Sequence, residues 1–174
     1  AYGIAVYAGQ GGDAYVYNSG AIDVAANSTF LYGGDEAIGI EARVGSGYLE
    51  VVNTGTITVA SASGDATGVF ASSYGGGEIY VYNSDAISVA AHEEAVGVGA
   101  YNTAGDVAVI SVAGASISAT GGYDATGIVA ETKYGDVYVV NEASIDALAD
   151  EGRAAGIEVT TGAGAYYAFA SGDI

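Results

Sequence analysis

The 174-residue chain contains no cysteine, methionine, tryptophan or proline, and it has few basic residues. Without cysteine it can form neither a disulfide framework nor a thiolate metal site, and it offers no cysteine nucleophile. Lysine and arginine total 3 against 21 aspartate and glutamate residues, which gives a formal net charge of -18. Nucleic acids and anionic membrane surfaces are bound through basic patches, so this balance argues against both kinds of partner. The apolar runs are too short to span a bilayer, and no direct membrane insertion of the segment is expected.

The chain does contain a clear internal repeat. Hydrophobic residue types make up 51% of the sequence, which is enough for a packed core despite the charge. The motif Ala-x-Gly-Ile/Val begins at residues 1, 37, 66, 95, 125 and 154, so successive units start 36, 29, 29, 30 and 29 residues apart. Each unit continues with alternating apolar positions, as in Asp136–Asn141, and units one to five then carry an Ile-x-Val/Ala step, as in Ile145–Ala147. This regular spacing indicates a solenoid.

Each unit holds three short runs with period-2 alternation, separated by Gly, Asn, Asp and Ser, and such runs are typical of strands. The sequence therefore predicts an all-β fold, a parallel β-helix (β-solenoid) with three strands and about 29 residues per coil, in five full coils plus a partial sixth. A right-handed course is expected from the general preference for right-handed crossovers. Residues 1–174 are expected to form a single solenoid domain, either a segment of a longer chain or an uncapped filament subunit.

Alternation also predicts which side chains face the core. Ile57 and Ile87 are expected on adjoining rungs of an inward isoleucine row. The glycines of the Ala-x-Gly motif are interpreted as backbone turns. The second strand of the sixth unit is expected to begin only at Asp173 and Ile174.

An asparagine recurs at the inward end of the second strand, with Ser111 or Ala113 standing there in unit four. We interpret this row as a structural ladder, in which each amide bonds its equivalent one coil away and the backbone adopts the left-handed conformation of a sharp corner. The alternative is a row of glycan or metal ligands. The ladder consists of Asn18, Asn53, Asn83 and Asn141.

The outward positions of the second strand predict an exposed apolar band on one side of the solenoid. Tyrosine suits protein interfaces and sugar stacking, so this band is a candidate face for self-association or for attachment to other surface proteins or glycans. The alternatives are that a loop or the rest of a longer chain covers it, or that cross-strand stacking only stabilises the sheet. The candidate association face comprises Tyr15, Tyr17, Val52, Tyr80, Tyr82, Ile110, Tyr138 and Val140.

The sequence offers little catalytic chemistry, and we predict no enzyme activity, no catalytic residue and no organic cofactor. The single histidine, His92, is expected at a surface corner, and the three basic residues do not form a shared row. A polysaccharide-active β-helix enzyme stays an unfavoured alternative, because fold alone does not exclude it. Aspartate and glutamate line up at the corners, where they favour solubility or offer oxygen ligands for Ca²⁺, although no calcium-binding nonapeptide repeat is present.

The pattern Ala-x-Gly-Ile followed by Gly-Asp-Val-x-Val-x-Asn, clearest from Ala125 to Asn141, resembles the passenger repeats of bacterial autotransporters and related filamentous surface adhesins. This resemblance implies a right-handed parallel β-helix that is secreted or lies at a Gram-negative cell surface, with a role in adhesion or biofilm structure. The expected function is therefore a structural and adhesive segment of an extracellular fibre. The alternative is a self-assembling extracellular filament subunit whose coil edges stack end to end.

Overall fold

Stacked parallel strands make up the computed structural model, which describes residues 1–27 and 35–174. Seventeen strands in this part of the chain, numbered in chain order, form three sheets. The first sheet contains β1 (Tyr2–Ala8), β4 (Ala37–Val44), β7 (Ala66–Ser73), β10 (Glu94–Asn102), β13 (Asp124–Thr132) and β16 (Ala154–Thr161). The second contains β2 (Ala14–Asn18), β5 (Leu49–Asn53), β8 (Ile79–Asn83), β11 (Val107–Ser111), β14 (Val137–Asn141) and β17 (Tyr166–Ala170). The third contains β3 (Ile22–Ala26), β6 (Ile57–Ser61), β9 (Ala86–Ala91), β12 (Ser116–Gly121) and β15 (Ser144–Ala149).

Each coil contributes one strand to each sheet. Five coils supply three strands apiece, and a sixth supplies β16 and β17. Strands of successive coils pair in parallel, with Asn53 opposite Asn83 and Ile57 opposite Ile87. The predicted β-solenoid with three strands per coil is therefore confirmed. The described residues include no helix, and therefore no helix that is long and apolar enough to cross a membrane.

Inward side chains from the three sheets meet in one apolar core. In the second coil Ile40, Val51 and Ile57 are each at most 1% exposed, and their equivalents on neighbouring rungs stack directly above and below them. Burying a side chain of this size contributes roughly 1.5–3 kcal/mol. Ile4 and Ile157 are only partly buried, because the strands that carry them have a neighbouring rung on one side only.

The glycines of the Ala-x-Gly motif lie within the strands of the first sheet, so the prediction that they form turns is wrong. Among the described residues, positive φ is confined to three glycines outside this row. The requirement for glycine is one of space. A Cβ atom on Gly68 would lie 2.5 Å from the carbonyl oxygen of Gly97 and 2.5 Å from Cγ2 of Ile87. The next rung and the third sheet therefore leave no room for a side chain.

The sixth coil reaches further than its sequence motif predicts. Its second strand is β17, which begins at Tyr166 and pairs with β14, so the expected start at Asp173 is wrong. The carbonyl oxygen of Asp173 accepts a hydrogen bond from the N–H of Ile145 at 2.8 Å. Ile174 then lies against Gly156, as Ile145 of the coil before lies against its own motif glycine. The segment thus includes the beginning of the sixth coil's third side.

Candidate functional site

The predicted association face lies on the outer surface of the second sheet, where alternate residues of each strand point away from the core. Strand register arranges it as two parallel rows. The first row contains Tyr15, Glu50, Tyr80, Ala108, Tyr138 and Tyr167. The second row contains Tyr17, Val52, Tyr82, Ile110, Val140 and Phe169. Tyr15 and Tyr17 are 57% and 67% exposed, whereas Tyr80 and Tyr82 are half-buried between neighbouring rungs.

Three aromatic residues that the sequence analysis missed extend this surface. Tyr167 stacks on Tyr138 with ring centroids 4.9 Å apart and an interplanar angle of 13°. Tyr48 lies beside Tyr15 at 5.8 Å. Phe169 continues the second row and is exposed. From here on, the association face means the two rows together with Tyr48.

The association face is nearly uncharged but has an acidic border. Glu50 is its one charged member, and the hydroxyl of Tyr17 donates a hydrogen bond to Glu50 Oε1 at 3.3 Å. The charge of Glu50, followed by partial burial and this hydrogen bond, raises the pKa of Tyr17. Asp106 and Asp136 immediately precede two of the strands at the rim. A partner therefore meets an aromatic surface edged by negative charge.

The inward asparagines form a column of side-chain hydrogen bonds that crosses the first four coils. Asn18 Nδ2 donates to Asn53 Oδ1 at 2.7 Å, and Asn53 Nδ2 donates to Asn83 Oδ1 at 2.8 Å. Asn83 Nδ2 then makes a longer bond of 3.5 Å to Ser111 Oγ. No non-glycine residue in the described ranges has positive φ, so the expected left-handed backbone is wrong. The column is held by amide pairing and burial rather than by corner geometry.

Asn141 occupies the same row but stands outside this column. Its Nδ2 donates to the carbonyl oxygen of Ala143 at 2.8 Å, and its Oδ1 has no hydrogen-bond partner among the described residues. Its neighbours in register are Ser111 and Ala170, which carry no amide. The column is therefore interrupted where the sequence replaces asparagine.

Several aspartates at the corners accept hydrogen bonds from backbone N–H groups of the next coil. Asp106 Oδ1 accepts the backbone N–H of Asp136 at 2.8 Å, and Asp136 Oδ1 accepts that of Ala165 at the same distance. Asp13, Asp65 and Asp124 make the equivalent bond to the following coil. Within the described ranges, no group of three or more His, Cys, Asp or Glu side chains could hold a metal ion. The corner carboxylates thus satisfy backbone donors of the next rung.

Glu41, on the outward side of the first sheet, is a buried carboxylate that the sequence analysis did not predict. Glu41 is 1% exposed and accepts hydrogen bonds from the Tyr7 hydroxyl and from Arg43 Nε, the latter at 2.5 Å. Arg43 Nη1 donates to the Tyr74 hydroxyl at 2.8 Å. The hydrogen bond to Glu41 is the main cause that raises the pKa of Tyr7. Arg43 and Tyr7 together compensate a carboxylate that would otherwise be costly to bury.

Aromatic rings continue from this charge cluster across the sheet. The guanidinium carbon of Arg43 lies 4.4 Å from the centroid of the Phe70 ring, and Phe70 lies 5.3 Å from Tyr101. Burial, followed by the charges of Glu94 and Glu131 among others, raises the pKa of Tyr101 to about 12. This part of the first sheet combines aromatic surface with a negative electrostatic environment.

The remaining residues singled out from the sequence lie apart from one another. His92 is exposed and lines a cavity of about 340 Å³ with Asp150 and Glu151, but its side chain forms no hydrogen bond with either carboxylate. Arg153 pairs with Glu158 at 2.7 Å on the surface. Lys133 Nζ lies 4.9 Å from the centroid of Tyr134.

Comparison of the chain with protein-family models, with curated proteins and with solved structures gives no match. Its class rests on the geometry described above. The chain is a parallel β-solenoid repeat protein with one aromatic outer face, an internal amide column and a second aromatic cluster on a different sheet.

Proposed function

We propose that this solenoid is a structural and adhesive repeat segment of a bacterial extracellular or cell-surface fibre, and that it acts by self-association through the association face. The observation that carries the proposal is the outer surface of one sheet, where exposed aromatic side chains lie at both ends and half-buried tyrosines lie between them. Exposed contiguous apolar surface of this kind marks interaction sites. The resemblance of the repeats to autotransporter passengers and filamentous adhesins supports a location at the Gram-negative outer surface and a role in adhesion or biofilm structure.

The size of the face indicates weak association for one segment. Six strands spaced about 4.8 Å apart and five residues long give a face of about 24 by 16 Å, or roughly 400 Å² in projection. A stable interface buries about 800 Å² per partner. A fibre that repeats the face many times would gain strength through avidity, because each contact raises the effective concentration for the next.

Charge predicts how this association responds to salt. Two copies of a chain with formal net charge -18 repel one another, while the face itself carries only Glu50. Salt screens the repulsion over a Debye length of about 10 Å at 0.1 M and about 3 Å at 1 M. The apolar contact is not weakened by this screening, so association should strengthen as ionic strength rises.

Replacing two tyrosines of the first row with serine tests the proposal. The Tyr15→Ser/Tyr138→Ser variant should weaken self-association by about tenfold or more, since each aromatic side chain is a candidate hot spot of the interface. Sedimentation velocity over a range of protein concentrations at high salt measures this directly. Circular dichroism should show that the strands are retained, because both side chains point away from the core.

The matched control removes two tyrosines of similar exposure that lie outside the face. Tyr123 and Tyr134 are 53% and 58% exposed and lie in the connections that flank β13. The Tyr123→Ser/Tyr134→Ser variant should associate like the unmodified chain. Equal loss in both variants, or no loss in the first, would reject the face as the site of association.

The end-to-end filament subunit is the second candidate function, and the continuous parallel pairing of all three sheets along one axis favours it. Strands β1 and β16 each pair on one side only, and their core residues Ile4 and Ile157 are partly exposed. Another rung stacked on either surface would bury them, whether from the same chain or from a second copy. Electron microscopy of the purified segment distinguishes the two functions. Long uniform filaments one solenoid wide mean end-to-end stacking, whereas rods of roughly 25 Å that pair sideways mean lateral association.

A further inference from the structure

The outer surface of the first sheet contains a cavity that neither the fibre proposal nor the core explains. Its volume is about 260 Å³, and three of its eight lining residues are aromatic. It lies on a different sheet from the association face and between the rungs of β7, β10 and β13. The lining residues include Phe70, Ser72, Tyr74, Tyr101, Thr103 and Glu131.

A glycine gives the cavity its shape. Phe70 faces Gly99 in the strand register, and Ser72 faces Tyr101. A Cβ atom on Gly99 would lie 2.7 Å from Cε2 of Tyr101, so the tyrosine ring lies across this glycine. The ring is thereby held next to Phe70, at a centroid distance of 5.3 Å and an interplanar angle of 30°. The two rings form a continuous aromatic wall.

One cation already binds to this wall from within the chain. Arg43 places its guanidinium carbon 4.4 Å from the Phe70 centroid and donates a hydrogen bond to the Tyr74 hydroxyl. Phe70 and Tyr74 both also line the cavity. Cations are attracted to aromatic faces at this distance by the ring quadrupole, and the attraction grows where water is excluded. An aromatic cluster of this kind is therefore suited to a positively charged group.

Arg43 is paired with Glu41 at 2.5 Å, and the other charges near the cavity are negative. Glu131 lies on the rung next to Tyr101, is exposed, and forms no ion pair with any basic residue that the structure describes. Glu94 stands near the same ring and adds to the negative potential there. Ser72 contributes a buried hydroxyl oxygen, 4% exposed as a residue, which has no hydrogen-bond partner among the described residues.

We propose that this cavity is a binding site for an organic cation, specifically a quaternary ammonium group held between Phe70, Tyr74 and Tyr101 and neutralised by Glu131. Aromatic walls with an adjacent carboxylate are the arrangement that recognises such groups, because the cation is too large and too weakly hydrated to need direct hydrogen bonds. The site is independent of the association face, so neither proposal depends on the other.

Titration with tetramethylammonium, followed by ¹H–¹⁵N NMR at constant ionic strength, tests the site. We expect saturable shifts confined to β7, β10 and the β13 residues around Glu131, with tert-butanol, a neutral molecule of similar shape, binding at least about fivefold more weakly. Glu131→Gln should weaken tetramethylammonium binding about fivefold, the effect of one charge at about 4 Å in water. Phe70→Leu should weaken it by at least a similar factor.

The control is Glu142→Gln, which removes an exposed carboxylate outside the first sheet and should leave binding unchanged. Glu131 is exposed, so its substitution tests the charge even if Phe70→Leu disturbs the Arg43 contact. Equal binding of the neutral molecule, equal effects of the two glutamine variants, or unsaturable shifts spread over the whole surface would each overturn the proposal. Tighter binding of a neutral oligosaccharide than of tetramethylammonium would overturn it as well.

Discussion

Replacing Ile87 with aspartate should lower the free energy of unfolding by about 5 kcal/mol or more and unfold the coils around it. Ile87 is 1% exposed and stacks between Ile57 and Ile117 in an aliphatic row. The change removes a buried side chain worth roughly 1.5–3 kcal/mol and places a carboxylate where no donor is available. Chemical denaturation followed by circular dichroism measures the loss.

The control for this change is Ser88→Asp on the same rung. Ser88 points outward and is exposed, so its substitution should alter stability by no more than about 0.5 kcal/mol. The Ile87→Asp deficit should also depend on pH. Burial raises the pKa of the new carboxyl above its unfolded value of about 3.9, so the deficit should be smallest below pH 4 and grow as pH rises. Similar stabilities for the two variants at neutral pH would contradict the inward placement of the isoleucine row.

Replacing Asn53 with leucine should cost about 2–6 kcal/mol. Leucine matches asparagine in shape, but it leaves one N–H of Asn18 and the Oδ1 of Asn83 without partners in a buried environment. Each unpaired buried group costs about 1–3 kcal/mol. Denaturant midpoints and slopes measure the change, and the slopes report whether coils begin to unfold separately.

Asn141→Leu provides the matched comparison, because both asparagines are fully buried in the same row. Asn141 pairs with no other amide, and its Oδ1 is already unpartnered. Its replacement should therefore cost clearly less than that of Asn53. If the two substitutions cost the same, the amide column contributes no stability of its own, and only local packing matters.

The stacking of rungs could be predicted from the sequence because one physical rule repeats in every unit. Side chains alternate across a strand with period 2, and a 29- to 30-residue repeat brings equivalent positions together. These two facts place Ile57 beneath Ile87 and Asn53 beneath Asn83 without any knowledge of the turns. The interpretation of the motif glycines failed because it considered backbone conformation alone, whereas the constraint comes from an isoleucine in another sheet.

The start of the second strand in the sixth coil was predicted wrongly. The prediction relied on the residue types of the motif rather than on their distance along the chain. Its second strand lacks the Asp-Val-x-Val-x-Asn pattern, yet Tyr166 follows Gly156 by ten residues, as Val137 follows Gly127. Spacing from the glycine would have located the strand. The difference arises because core geometry fixes the length of each side of the coil, while individual positions tolerate several residue types.

The charged and aromatic side chains on the outer surface of the first sheet could not be predicted, because no residue type recurs there from one unit to the next. Tyr7, Arg43, Ser72 and Tyr101 share one row, but no two neighbours in that row are alike. These side chains differ in type and length, and their contacts depend on how each one lies across the surface of the sheet. Gly99, for example, creates space only for a ring that belongs to its own strand. Tyrosines that recur at one position of the repeat therefore predict the association face, whereas no recurring position marks the cation cavity.

The interruption of the amide column at Ser111 has a consequence for how the solenoid comes apart. Hydrogen-bonded amides polarise one another, so the rungs carrying Asn18, Asn53 and Asn83 resist separation together. Beyond Ser111 the next asparagine makes only a local bond, and separating these rungs breaks no side-chain link of the column. Partial unfolding should begin at this weak junction, and the segment would then divide into two cooperative blocks of unequal strength.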